Sequence, residues 1–224
     1  STSAADIADD FGVRPDQLNV VPLGVDTELF KPTLQPRVPG RIIAIASADV
    51  PLKGVANLLQ AVAKLRTERD VELQLVARLE PNGPTEKRIA ELGIADIVQV
   101  SSGLSDAELA ALLASAEISC IPSLYEGFSL PAVEAMSSGT PIVASRAGAL
   151  PEVLGSEGLC AELVRPGDAE ELTTVLRNLL DSPERCYQLG IAGRERAVDV
   201  YSWESVAAQT VNVYHRAIDR SHAC

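Results

Sequence analysis

Six short apolar, β-branched runs punctuate this chain, at residues 41–47, 71–77, 96–100, 118–122, 141–145 and 159–163. Runs such as RIIAIAS and PIVAS are apolar at neighbouring positions, not only at alternate ones, as expected of strands buried on both faces. Amphipathic stretches lie between them. Residues 54–68 set Val55, Leu58, Leu59, Val62 and Leu65 at helical spacing as one apolar stripe. Residues 105–116 open on Ser105-Asp106-Ala107-Glu108, a capping-box pattern that predicts a helix start. Strands with no wet face, alternating with helices, predict an α/β domain: a Rossmann-like, doubly wound, mainly parallel sheet covered on both sides. The ends depart from this repeat. Residues 18–22 (LNVVP) predict a short strand followed by a turn at 23–26. Residues 168–219 read as almost wholly helical, with breaks near Ser182-Pro183 and Tyr201-Ser202. Both ends read as connectors.

Charge narrows the function classes. The 224 residues carry 19 Lys and Arg against 31 Asp and Glu, a formal net charge of -12. That excess repels phosphate backbones and anionic lipid surfaces, which argues against general nucleic-acid binding. No run of 18 or more apolar residues is present to span a bilayer, and no basic-then-apolar leader opens the chain. The four cysteines (Cys120, Cys160, Cys186 and Cys224) form no C-x-x-C pair, which disfavours zinc and thioredoxin-like chemistry and suits a reducing cytoplasm. The two histidines, His215 and His222, lie near the C-terminus, and nothing local supports a Cys–His or Ser–His–Asp arrangement. The chain begins at Ser1 and its single methionine is Met136, so a piece of a longer protein is expected.

In an open parallel sheet, ligands bind beyond the carboxyl ends of the strands. Neither a G-x-G-x-x-G nor a G-K-[ST] motif follows a strand here, which lowers dinucleotide oxidoreductase and P-loop readings. The most informative segment follows the run at 118–122: PSLYEGFSLPAVEAM, residues 122–136. It reads as a strand end, a glycine-containing loop and a helix with Pro131 in its first turn. The N–H groups of Phe128, Ser129 and Leu130 would be unsatisfied at that helix end, a ready anion site. Glu126 and Glu134, eight positions apart, could accept hydroxyl hydrogens of a sugar. A capped helix whose glutamates offset its dipole accounts for the same spacing equally well.

The longer context, continuing SSGTPIVAS, resembles the Glu–seven–Glu motif of the retaining family 4 glycosyltransferases. Four other segments match in order. VPLGVDT with Phe30 and Pro32 is similar to the family's opening P-x-G-V-D segment. Lys53-Gly54 resembles its K-G motif, and Gly148 to Glu152 (GALPE) its G-G-x-P-E loop. Ser202-Trp203-Glu204 resembles its tryptophan-containing end helix. The resemblance implies one half of a GT-B fold, in which two Rossmann-like domains face each other across a cleft. Residues 1–35 would form a hinge and opening segment, residues 36–200 the nucleotide-sugar-binding domain, and residues 201–224 a helix crossing back to an absent N-terminal acceptor domain. The activity implied is hexosyl transfer from a UDP- or GDP-hexose with the α-configuration kept, in a cytoplasmic enzyme whose full-length form could sit peripherally on a membrane. The lone half would be inactive. Glu134 would hold the donor ribose, Glu126 the donor sugar, and the N–H groups of Phe128, Ser129 and Leu130 the diphosphate. Lys53 would offset the charge that develops on the leaving diphosphate. Ser101 and Gly103 would frame the base. No metal or other cofactor is implied.

The sequence departs from the family in one consequential place. Where the family commonly has Gly-Arg-Leu before its K-G motif, this chain reads Ser47-Ala48-Asp49, so Ala48 replaces an arginine that would grip the diphosphate. Arg78 or Arg146 could substitute; Arg78 is favoured, although a solvated surface arginine is an equal reading. The missing arginine leaves room for a non-catalytic nucleotide-sugar-binding module, and another GT-B-like enzyme such as a sugar epimerase is a third possibility.

Overall fold

The computed structural model describes residues 2–46, 49–155 and 158–222, with the side chains of Thr2, Arg220, Ser221 and His222 excepted. Six strands form one sheet: β1 (Val38–Ala46), β2 (Glu72–Ala77), β3 (Val98–Ser101), β4 (Ala116–Ile121), β5 (Ile142–Ser145) and β6 (Ala161–Val164). Their spatial order is β3-β2-β1-β4-β5-β6, and every pairing is parallel. The predicted Rossmann-like sheet is therefore present, and it is parallel throughout.

Nine helices accompany the sheet among the described residues: α1 (Thr2–Phe11), α2 (Val55–Leu65), α3 (Pro84–Leu92), α4 (Asp106–Ser115), α5 (Leu130–Ser137), α6 (Leu150–Leu154), α7 (Ala169–Leu180), α8 (Pro183–Tyr201) and α9 (Trp203–His222). Strand residues alternate between two cores. Ile42 and Ala44 join Leu58, Leu59 and Val62 of α2 and Leu176 of α7 on one face. Ile43, between them in sequence, joins Leu113 of α4, Val133 and Met136 of α5 and Leu150 of α6 on the other. That two-sided burial explains the continuous apolar runs, because a strand with no wet face has few positions for a polar residue. The capping box forms as its residues predict: Ser105 Oγ accepts the Glu108 N–H, and the Glu108 carboxylate accepts the Ser105 N–H.

One expectation fails. Residues 18–22 form no strand; the nearest sheet-like contact is an isolated parallel bridge between Val25 and Ser202. The β-branched pair Val20-Val21 has no neighbouring strand edge with which to pair, so local propensity alone does not make a strand there. The expected breaks in the C-terminal helical region are present. Ser202 is extended between α8 and α9 and docks on residue 25, while the Trp203 ring lies over Gly24, where a Cβ would stand 2.5 Å from a ring carbon. Arg37 and Arg194 act as internal staples that sequence reading did not anticipate. Arg37 donates to the carbonyls of Ala114, Ala116 and Gly139, and Arg194 to those of Thr27, Phe30 and Ser137.

Candidate active site

The strand order reverses between β1 and β4, and in doubly wound sheets the ligand crevice opens beyond that reversal. Two loops meet there. The first leaves β1 through a 3-10 turn, Pro51–Lys53, and enters α2 at Gly54. Gly54 has φ 65°, and a Cβ on it would stand 1.9 Å from the Pro122 carbonyl oxygen, so only glycine allows this approach. The Leu124 N–H donates to the Leu52 carbonyl at 2.8 Å, stitching the first loop to the second.

That stitching brings together residues 70 positions and more apart. Lys53 Nζ lies 2.8 Å from Glu126 Oε1, and Ser123 Oγ donates to the same oxygen at 2.9 Å. The Glu126 side chain is only 13% exposed. Its backbone is held from the other side: the Ala149 N–H donates to the Glu126 carbonyl at 2.8 Å, and a Cβ on Gly148 (φ 54°) would stand 2.2 Å from that oxygen. The GALPE segment thus forms a wall against which the glutamate loop is set.

Beyond Glu126 the chain turns into α5. Ser129 adopts φ 98°, a left-handed conformation rare for a residue with a Cβ, and its Oγ caps the helix by accepting the Ala132 N–H at 3.4 Å. Backbone strain of this kind persists only where surrounding structure enforces it, and it clusters at functional sites. The N–H groups of Phe128 and Ser129 reach no acceptor among the described residues, and Leu130 opens the helix, so three donors converge at its positive end. The Phe128 ring packs edge-on against Tyr201, with centroids 5.8 Å apart, so its side chain serves packing. Glu134 lies one turn further along. It is half-buried, and its carboxylate makes no hydrogen bond or ion pair among the described residues. Burial, with the Asp106 carboxylate adding to it, pushes the Glu134 carboxyl up to about 6. A half-buried carboxylate lacking a partner is suited to accept from a ligand.

The remaining predicted residues gather elsewhere. Arg78 and Ser101 line a hollow of about 370 Å³ at the ends of β2 and β3, with Leu79, Glu86, Ile89 and Val100. Ser101 Oγ is buried there without a hydrogen-bond partner. Gly103 makes the turn after β3 with φ 69°. Arg78 is exposed and shares no hydrogen bond or ion pair with Lys53 or Glu126 among the described residues. Ala48 lies outside the described residues, and the neighbouring Asp49 accepts from Thr85 Oγ1 at 2.5 Å. A larger cavity of about 600 Å³ sits at the opposite, amino-terminal edge of the sheet, beside Arg37, Glu117, Pro141 and Cys186. It touches neither glutamate of the motif. No cluster of three His, Cys, Asp or Glu side chains that could hold a metal ion occurs among the described residues, and no helix there is long and apolar enough to cross a membrane.

Unsatisfied N–H donors, the Lys53 ammonium and two carboxylates thus lie at the switch point of a doubly wound sheet. Residues 26–196 match the family of glycosyl transferases group 1, and the chain belongs to that family. Among its relatives, it is 73% identical over all 224 residues to an MMP alpha-(1->4)-mannosyltransferase of Mycolicibacterium hassiacum, of which it covers 54%. It is 32% identical over 98% of its length to a D-inositol 3-phosphate glycosyltransferase of Pseudarthrobacter chlorophenolicus, covering 55% of that protein. The chain thus spans about half the length of the curated relatives it matches. Among solved structures it resembles a sucrose-phosphate synthase of Thermosynechococcus elongatus (TM-score 0.79, 28% identity, covering 90% of this chain and 53% of that one). The fold is also that of HepE from Anabaena, solved with UDP and glucose (TM-score 0.80, 22% identity, covering 91% and 58%). These structural neighbours are GT-B glycosyltransferases, whose Rossmann-like fold this chain shares.

Proposed function

We propose that this chain is the donor-binding half of a retaining family 4 glycosyltransferase that moves a mannosyl group from a UDP- or GDP-sugar to an acceptor. The observation that carries the reading is the meeting of Lys53 and Glu126 beside the donor-rich start of α5, at the point where the strand order reverses. The relative that is 73% identical bears the name of an α-mannosyltransferase, which supports the choice of sugar.

Each group then has a task. The N–H groups of Phe128, Ser129 and Leu130 and the Lys53 ammonium hold the diphosphate. Glu134 accepts from the ribose hydroxyls and Glu126 from the sugar hydroxyls, while Ser101 and Gly103 border the base and Arg78 stands over the same hollow. As the bond between C1 and the diphosphate oxygen breaks, its electron pair leaves with the diphosphate, and Lys53 and the α5 dipole stabilise that charge. The acceptor hydroxyl attacks C1 from the face the diphosphate vacates, which keeps the α-configuration, and its proton passes to the departing diphosphate oxygen. None of these roles calls for a metal. Acceptor recognition falls to a facing domain, reached across the hinge at residues 1–35 and the final helix, so the lone chain binds donor without turning it over.

The absence of a family arginine at Ala48 favours a second reading, a nucleotide-sugar-binding module without transfer activity. Assay of a longer protein that adds the facing domain separates the two. Mannosyl transfer is expected; nucleotide binding with no transfer from any donor would favour the module.

A further inference from the structure

We infer that Ser123 is a positioning residue for the donor sugar, holding Glu126 in place when Lys53 is drawn away to the diphosphate. The inference rests on the donor-binding reading above. Glu126 Oε1 receives two donors, Lys53 Nζ at 2.8 Å and Ser123 Oγ at 2.9 Å, while Oε2 receives none among the described residues. One oxygen is therefore anchored and the other is left to accept from a ligand hydroxyl.

The two anchors differ in kind. Lys53 is a long, rotatable cation, and a diphosphate carrying several negative charges competes for it directly with the single charge of Glu126. Ser123 has no such alternative. It is 2% exposed, it lies two residues beyond the end of β4, and the preceding Pro122 carbonyl is wedged against Gly54. When Lys53 turns to phosphate, the Ser123 hydroxyl is the donor that remains, so Oε2 keeps its aim at the sugar. Nucleotide and sugar recognition are thereby separated: Lys53 answers to the diphosphate, Ser123 to the sugar.

Calorimetric titration of the chain with GDP and GDP-mannose, and with UDP and UDP-glucose, tests this. Ser123→Ala should weaken the sugar nucleotide by roughly fivefold, the scale of one lost hydrogen bond, and leave the matching nucleoside diphosphate within twofold. Ser123→Thr, which keeps the hydroxyl, should restore the sugar nucleotide. In a Glu126→Ala background, Ser123→Ala should have no further effect, because the interaction runs through that carboxylate. Equal weakening of both ligands, weakening of neither, or an undiminished effect in the Glu126→Ala background would each overturn the inference while leaving the site reading intact. A wild-type chain that binds none of the four ligands would overturn the site reading itself, and this inference with it.

Discussion

Glu134 shows how a single buried carboxyl can work against the fold. Burial raises its carboxyl from the ordinary 4.5 to about 6, so between those values the folded chain binds more protons than the unfolded one. Stability attributable to this group therefore falls as pH rises through that window, and the full cost is present above about pH 6. Glu134→Gln removes the titration. It should raise stability at pH 7.5 by roughly 1 kcal/mol, a gain that disappears by pH 4.5. Thermal melts of both forms at the two pH values check this; a variant no more stable at pH 7.5 than at pH 4.5 would refute it. Arg37 works in the opposite sense. Burial lowers its pKa, yet its guanidinium satisfies the carbonyls of Ala114, Ala116 and Gly139, so Arg37→Ala should cost about 2–4 kcal/mol in denaturant unfolding. Neither effect was legible in the sequence, because burial and partnership depend on which distant backbone a side chain meets.

At the scale of elements, the strands and most helices could be read directly, since a strand buried on both faces is mostly apolar and an amphipathic helix is periodic. The run at 18–22 misled for a related reason: β-branched residues form a strand only where an edge awaits them. The site was legible in part. The glutamate loop, the helix start and Lys53 were marked by motif, but Ser123 was passed over as part of the Pro-Ser lead-in, and only the folded loop shows its hydroxyl on Glu126. Glycines decide how closely these loops meet. Gly54→Ala would place a Cβ 1.9 Å from backbone oxygen in a left-handed conformation, whereas Gly93 has nearly the same φ and open space. The Gly54 variant should lose more stability than Gly93→Ala, for which about 1 kcal/mol is expected, and should lose nucleotide binding as well. Paired unfolding curves and titrations test the comparison.

For the whole molecule, the proposed donor site sets a polyanion within a chain of net charge -12, and the attraction it invokes is local: the Lys53 ammonium and a helix end beside low-dielectric walls. The long-range field opposes a nucleotide even so. Raising ionic strength from about 0.02 to 0.15 M screens the repulsion from distant acidic residues more than it screens the buried contacts, so salt should change nucleoside diphosphate binding by less than threefold in either direction. A fall of tenfold or more would indicate binding to exposed charge and not to this site. Calorimetric titration of the chain with UDP and GDP, for the wild type and Glu134→Ala, decides whether Glu134 and the start of α5 hold a nucleoside diphosphate as proposed. Saturable one-to-one binding of at least one nucleotide is expected, weakened by about 1–3 kcal/mol in the variant. Failure of both nucleotides to bind, or an affinity unchanged by Glu134→Ala, would contradict the proposal.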